Sequence, residues 1–149
     1  MKKKVIMSND HAGVQLAQRL IEFLNKEGYE VDWLGTKTEE SVDYPDMARK
    51  ACEKYINTGG YEFGVLICGT GIGISISANK IKGIFCALPQ NCFAAQMAKE
   101  HNNANFIAFG ARIDYPQSPE EMLKSFINAE VSQSERHIIR RNKMFELEK

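Results

Sequence analysis

The chain has 149 residues, 44% hydrophobic and 26% charged, the size and balance of one ordinary folded domain with a full core. Lys and Arg together number 19, as do Asp and Glu, so the formal net charge is zero; a general nucleic-acid binder needs a basic excess, and that class is set aside. The N-terminal apolar run Val5-Ile6-Met7 is too short for a secretory core or a membrane span, so a cytoplasmic protein with no membrane partner is expected.

In chain order, Lys3 to Ser8 reads as a strand, broken by Asn9-Asp10-His11-Ala12-Gly13. Leu16, Leu20, Phe23 and Leu24 recur at helical spacing, and Gly28 ends that helix. Tyr29 to Leu34 is a second strand, followed by a polar loop over Gly35 to Tyr44. Pro45 opens a helix to about Ile56, closed by Gly59-Gly60. Tyr61 to Cys68 is almost continuously apolar, the pattern of a strand buried on both faces. Gly69, Gly71 and Gly73 mark a tight loop, with a helix expected from about Ile74 to Lys80. Ile84 to Leu88 reads as a fourth strand, Asn91 to about Glu100 as a helix, and Asn105 to Gly110 as a fifth strand. Ser118-Pro119-Glu120-Glu121 combines a Ser N-cap, Pro at N1 and Glu at N3, and a last basic helix runs from about Ser134 into the tail. Strand and helix alternate five times. The expectation is an α/β fold, a Rossmann-like three-layer α/β/α with a five-stranded parallel sheet, in one domain over 1–149. Sites in such sheets lie beyond the carboxyl ends of the strands. The loops Asn9–Gly13, Cys68–Gly73, Pro89–Asn91 and Gly110–Arg112 are therefore the candidates.

Cys68 closes the third strand at the mouth of the glycine loop. Glycines allow positive φ and close approach, and a helix starting next presents N–H groups that can hold an anion or a developing oxyanion. The loop lacks the Gly-Lys-Ser/Thr of a Walker A motif, and its third glycine comes too early for G-x-G-x-x-G. A purely structural turn would use the same glycines; the thiol sets this one apart. Amide dipoles facing a thiol favour thiolate. Thr70 adds a hydroxyl able to give and take a proton. Base and nucleophile are both open roles for Cys68, with His101 a partner for the second. Asp10-His11 is either a helix cap with a solvated imidazole or a polar pair for sugar hydroxyls or phosphate. His101-Asn102 ends a helix, where an imidazole serves as a dipole contact or as a proton donor. Arg136 and Arg140 share one helix face, solvated or forked around a phosphate. The cysteines Cys52, Cys68, Cys86 and Cys92 show no C-x-x-C pair and the histidines are scattered, so no metal site and no cofactor are expected.

Taken together, Asp10-His11-Ala12-Gly13, Asp43-Tyr44-Pro45, Cys68-Gly69-Thr70-Gly71-Ile72-Gly73, Ala78-Asn79-Lys80, His101-Asn102, Phe109-Gly110-Ala111-Arg112 and Arg136-His137 with Arg140 resemble the ribose-5-phosphate isomerase B family, the RpiB/LacAB sugar-phosphate isomerases, in order and spacing over nearly the whole chain. The resemblance implies metal-free interconversion of D-ribose 5-phosphate and D-ribulose 5-phosphate through a cis-enediolate. It implies Cys68 as the base, Thr70 in proton transfer at the hydroxyl oxygens, and His101 in opening the furanose ring. It implies amides of Gly69, Gly71, Ile72 and Gly73 around the enediolate and Asp10, His11 and Tyr44 on the sugar. Asn102, Arg112, Arg136 and Arg140 would hold substrate, the arginines mainly on phosphate. It also implies a homodimer or homotetramer with shared sites and a C-terminal helix reaching the partner subunit. Two stretches depart from the family pattern, Gln133-Ser134-Glu135 and Asp114-Tyr115-Pro116-Gln117, the second read as touching none of the motifs. The alternatives are an isomerase of allose 6-phosphate or galactose 6-phosphate, and a non-catalytic nucleotide- or anion-binding module.

Overall fold

The computed structural model describes residues 2–149. In chain order it runs β1 (Lys3–Asn9), a 3-10 turn (His11–Gly13), α1 (Val14–Lys26), β2 (Tyr29–Trp33), α2 (Tyr44–Thr58), β3 (Tyr61–Cys68), α3 (Ile72–Asn79), β4 (Cys86–Ala87), α4 (Cys92–Glu100), β5 (Phe106–Gly110), α5 (Pro119–Asn128) and α6 (Glu135–Glu146). The strands form one parallel sheet in the order β2-β1-β3-β5-β4. Parallel strands covered by helices on both sides must be apolar on both faces, and β3 is buried from Phe63 to Cys68. Side chains alternate across it: Phe63, Val65 and Ile67 pack with α1, α4 and α5, while Leu66 and Cys68 pack with α2 and α3. The three layers expected from the alternation are present.

Most boundaries fall within a residue or two of expectation, and two of the differences have a clear cause. The fourth strand is only Cys86–Ala87, because asparagine side chains do the work of a ladder around it. Asn79 Nδ2 donates to the Cys86 carbonyl at 2.9 Å and Asn79 Oδ1 accepts the Cys86 amide at 2.7 Å, closing the outer edge. Asn105 Oδ1 accepts Phe85 N–H at 2.8 Å and Asn105 Nδ2 donates to the Gly83 carbonyl at 2.8 Å. Helix α3 starts two residues earlier than expected, since Gly71 takes φ +78° as its N-cap and releases Ile72 and Gly73 into the first turn.

Strands β1 and β3 are neighbours, and their following helices leave on opposite faces, opening a crevice at the carboxyl edge. Asp10 N–H donates to the Ile67 carbonyl at 3.0 Å, holding the two exits together there.

Candidate active site

Cys68 ends β3 at this carboxyl edge, 4% exposed. The loop folds back over it because Gly71 is left-handed, and Gly71 N–H donates to Cys68 Sγ at 3.2 Å. Ile72 N–H donates to Thr70 Oγ1 at 3.2 Å, so the Thr70 hydroxyl keeps its own proton free to donate. Two of the loop amides are thus already aimed at the thiol and at the hydroxyl beside it. The chain cannot accept bulk here. A Cβ on Gly73 would meet the Tyr44 ring at 2.6 Å, and one on Gly69 would meet Arg112 Nη1 at 2.9 Å. Tyr44 and Arg112 therefore wall the loop from two sides.

Arg112 is held by its own backbone, whose N–H donates to the Gly69 carbonyl at 2.8 Å, while Ala111 N–H donates to the Cys68 carbonyl at 2.9 Å. Asp10 is 6% exposed and Oδ1 accepts Ala12 N–H at 3.0 Å, so it does cap the turn that carries His11. His11 Nδ1 accepts Val42 N–H at 3.2 Å, which puts the proton of the neutral ring on Nε2 and offers that nitrogen as a donor. Asn9 fixes the neighbouring loop by donating Nδ2 to the carbonyls of Asp10 and Thr36, both at 3.0 Å, and accepting Trp33 Nε1 at 2.6 Å. His11, Arg112, Gln15, Arg19 and Glu39 line a polar cleft of about 440 Å³. Arg19 is already paired with Glu120 at 2.7 Å, which leaves Arg112 as the cation of this cleft that has no carboxylate partner among the described residues.

The remaining candidates gather elsewhere. His101 caps the end of α4, and its ring stacks on His137 of α6 with centroids 4.1 Å apart. Arg136 Nε donates to His137 Nε2 at 3.4 Å, leaving Nδ1 to donate to Ser132 Oγ at 2.7 Å. Burial, then the charges of His101, Arg136, Arg140 and Arg141, hold the His137 imidazole below its ordinary value. Arg141 bolts the assembly by donating to the carbonyls of His101 at 3.1 Å and Ser132 at 2.8 Å. Asn102 lines a cleft with Leu88, Phe93 and Met97 beside this group.

The candidate residues thus form two groups: Asp10, His11, Tyr44, Cys68, Gly69, Thr70, Gly71, Ile72, Gly73 and Arg112 in one, His101, Asn102, Arg136 and Arg140 in the other. Among the described residues no hydrogen bond, ion pair or ring contact joins a member of one to a member of the other. His137 and Arg141 are not marked as site residues by the sequence, although His137 stands inside the Arg136-His137 motif. The reading of Asp114-Tyr115-Pro116-Gln117 as touching no motif is overturned. Tyr115 Oη accepts Gly110 N–H at 2.9 Å, and Gln117 Oε1 accepts Cys92 N–H at 3.0 Å. Only folding brings a residue five positions on back to the strand end.

A sequence profile of the ribose/galactose isomerase family matches residues 5–144. The chain is 39% identical over 111 residues to ribose-5-phosphate isomerase B of Escherichia coli, covering 74% of each. It is 39% identical over 120 residues to the galactose-6-phosphate isomerase subunit LacB of Clostridium acetobutylicum, covering 80% of this chain and 69% of that one. The solved structure of Clostridium thermocellum ribose-5-phosphate isomerase B superposes with a TM-score of 0.91 at 41% identity, covering 97% of both chains. Matched over nearly its whole length in both sequence and fold, this chain belongs to the ribose/galactose isomerase family of RpiB-type sugar-phosphate isomerases.

Proposed function

We propose that the chain, acting as one domain over 1–149, interconverts D-ribose 5-phosphate and D-ribulose 5-phosphate with Cys68 as the base. The observation that carries this reading is the Cys68 thiol at the carboxyl edge of the sheet, with the Gly71 amide 3.2 Å from its sulfur. As thiolate, Cys68 takes the proton from C2 of the open-chain aldose. The C2–H electron pair becomes the C1–C2 double bond of a cis-enediolate, and the carbonyl electrons move onto O1. Amides of the Gly69–Gly73 loop stabilise that charge where it develops. Thr70 passes a proton between O2 and O1, and Cys68 returns its proton to C1. Asp10, His11 and Tyr44 contact the sugar, and His101 opens the furanose ring. Arg112, Arg136 and Arg140 take the phosphate, which orients the reacting carbons from a distance, with Asn102 beside them.

The two groups of candidate residues meet when a second copy of this chain docks, in a homodimer or homotetramer with α6 reaching across. Support comes from apolar side chains left in water on both groups, Ile72 at 51% and Ile76 at 55% on the helix after the thiol loop, and Phe93 at 68% in the cleft with Asn102. A helix apolar on both faces, as α3 is, belongs inside an interface. Action in the cytoplasm is part of the same proposal; among the described residues no helix is long and apolar enough to cross a membrane.

The test is turnover of ribose 5-phosphate, with chelator present, by wild type and Cys68→Ala. Turnover that is lost with the thiol while the fold is kept is the expected result. Near wild-type turnover by Cys68→Ala removes the base assignment. A wild type inactive on this sugar moves the assay to allose 6-phosphate and galactose 6-phosphate, and inactivity on all three leaves the binding-module reading.

A further inference from the structure

Beyond the residues already assigned, the loop after β5 reaches back to the thiol. Strand β4 ends at Ala87, paired with Ile107, so the outer edge of β5 has no strand beside it from there on. Ala111 N–H points to the Cys68 carbonyl on the β3 side. Alternation then turns Gly110 N–H to the open side, where a buried amide needs a partner. The Tyr115 hydroxyl supplies it at 2.9 Å, with its ring edge-on to Phe109 at 6.4 Å between centroids. Gly110 is the register partner of Cys68.

The contacts continue inward. A Cβ on Gly110 would meet the Thr70 carbonyl carbon and oxygen at 2.5 Å, and one on Gly71 would lie 3.1 Å from Gly110 N. Thr70 and Gly71 therefore rest directly on the Gly110 peptide, and Gly71 N–H is the group that donates to Cys68 Sγ. We propose that Tyr115 is a positioning residue for the Cys68 loop, acting through the Gly110 peptide to hold Thr70 and the Gly71 amide in register with the thiol. The proposal rests on the isomerase reading above. Burial raises the phenol from its ordinary value, the Gly110 bond opposes this, and the Cys68 charge adds to the rise, which agrees with a phenol that keeps its proton beside the thiol.

The experiment compares wild type, Tyr115→Phe and Gln117→Ala in steady-state kinetics on ribose 5-phosphate, with thermal melting of each. Tyr115→Phe keeps the ring's packing and removes only the hydroxyl. Its kcat is expected to fall about five- to tenfold with KM within about twofold, the loss of one hydrogen bond that matters in the transition state. Gln117→Ala loosens the same loop at its Cys92 end and is expected to lower Tm while leaving kcat unchanged. Wild-type kcat in Tyr115→Phe overturns the proposal, and so does an equal kcat loss in Gln117→Ala, which would make general loop order the cause. If wild type turns over no sugar phosphate, the isomerase reading fails by itself. The hydroxyl is then tested by the rate of Cys68 alkylation with iodoacetamide, read by mass spectrometry against Cys92. A slower Cys68 rate in Tyr115→Phe supports the positioning role, and equal rates overturn it.

Discussion

At Gly71 one backbone angle sets the contact between the candidate loop and the thiol. With φ at +78°, its N–H turns back onto Cys68 Sγ, and a side chain would strike Leu88 Cδ1 at 2.6 Å and the Phe109 carbonyl carbon at 2.9 Å. Gly28 has φ +93°, and a Cβ there would meet nothing within 4 Å, so it carries the conformational demand without the crowding. Gly28→Ala should therefore cost about 1–2 kcal/mol, the ordinary penalty of left-handed backbone. Gly71→Ala should cost more than that and also lose most activity, because the amide leaves the sulfur. Chemical denaturation of both variants, with turnover of each, checks this; equal losses of stability and retained activity in Gly71→Ala would separate the loop conformation from function. The thiols divide in the same local way. Cys52 and Cys86 are buried between α2, α3 and the sheet, and burial pushes the Cys52 thiol up to about 12, which suits packing and not chemistry.

At the scale of the element, α6 is held by polar bonds more than by apolar burial. His137 is its only buried residue, and Arg141 and His137 tie it to the carbonyl and hydroxyl groups of the preceding segment. An imidazole held below its ordinary value binds fewer protons folded than unfolded as pH falls. Its contribution to stability is thus fully present above the unfolded value of about 6.5 and is lost as pH falls from there toward the folded value. Melting temperatures measured from pH 8 to pH 5 should decline through that window in wild type and decline less in His137→Asn. Parallel curves would show that other groups govern the acid limb. The short β4 belongs at this scale too. Its sequence, Ile84-Phe85-Cys86-Ala87-Leu88, is apolar throughout, yet Asn79 and Asn105 occupy its backbone groups and confine the ladder to two residues.

At the scale of the whole molecule, the thiol group and the histidine–arginine group lie apart in one chain, and the proposed activity needs both. A mixture of Cys68→Ala and His101→Ala subunits tests this directly. In a mixed dimer one shared site carries both substitutions and the other carries neither. After equal mixing and exchange, about a quarter of wild-type activity should return, since half of the dimers are mixed and each has one intact site. No recovery after demonstrated subunit exchange would sink the shared-site proposal. Size-exclusion and light scattering on the separate variants would show whether the oligomer survives each change.

Much of this protein was determined by the sequence alone, through local chemistry. Continuous apolar runs set the strands, β3 ends at Cys68 as its pattern requires, and Ser118-Pro119 starts α5 as its capping residues demand. The glycine spacing and the thiol mark the loop, because the chain's own neighbours impose the turn. The motif set points to the family, and the profile match over 5–144 agrees. What the tertiary structure decided is long-range. Sheet order places the exits of β1 and β3 side by side, and no periodicity encodes which strands become neighbours. The stacking of His101 on His137, the reach of Arg141 to the His101 carbonyl, and the return of Tyr115 to Gly110 depend on packing between elements. A side chain's partner across a loop is set by where the backbone folds back, and spacing along the chain carries no measure of that distance.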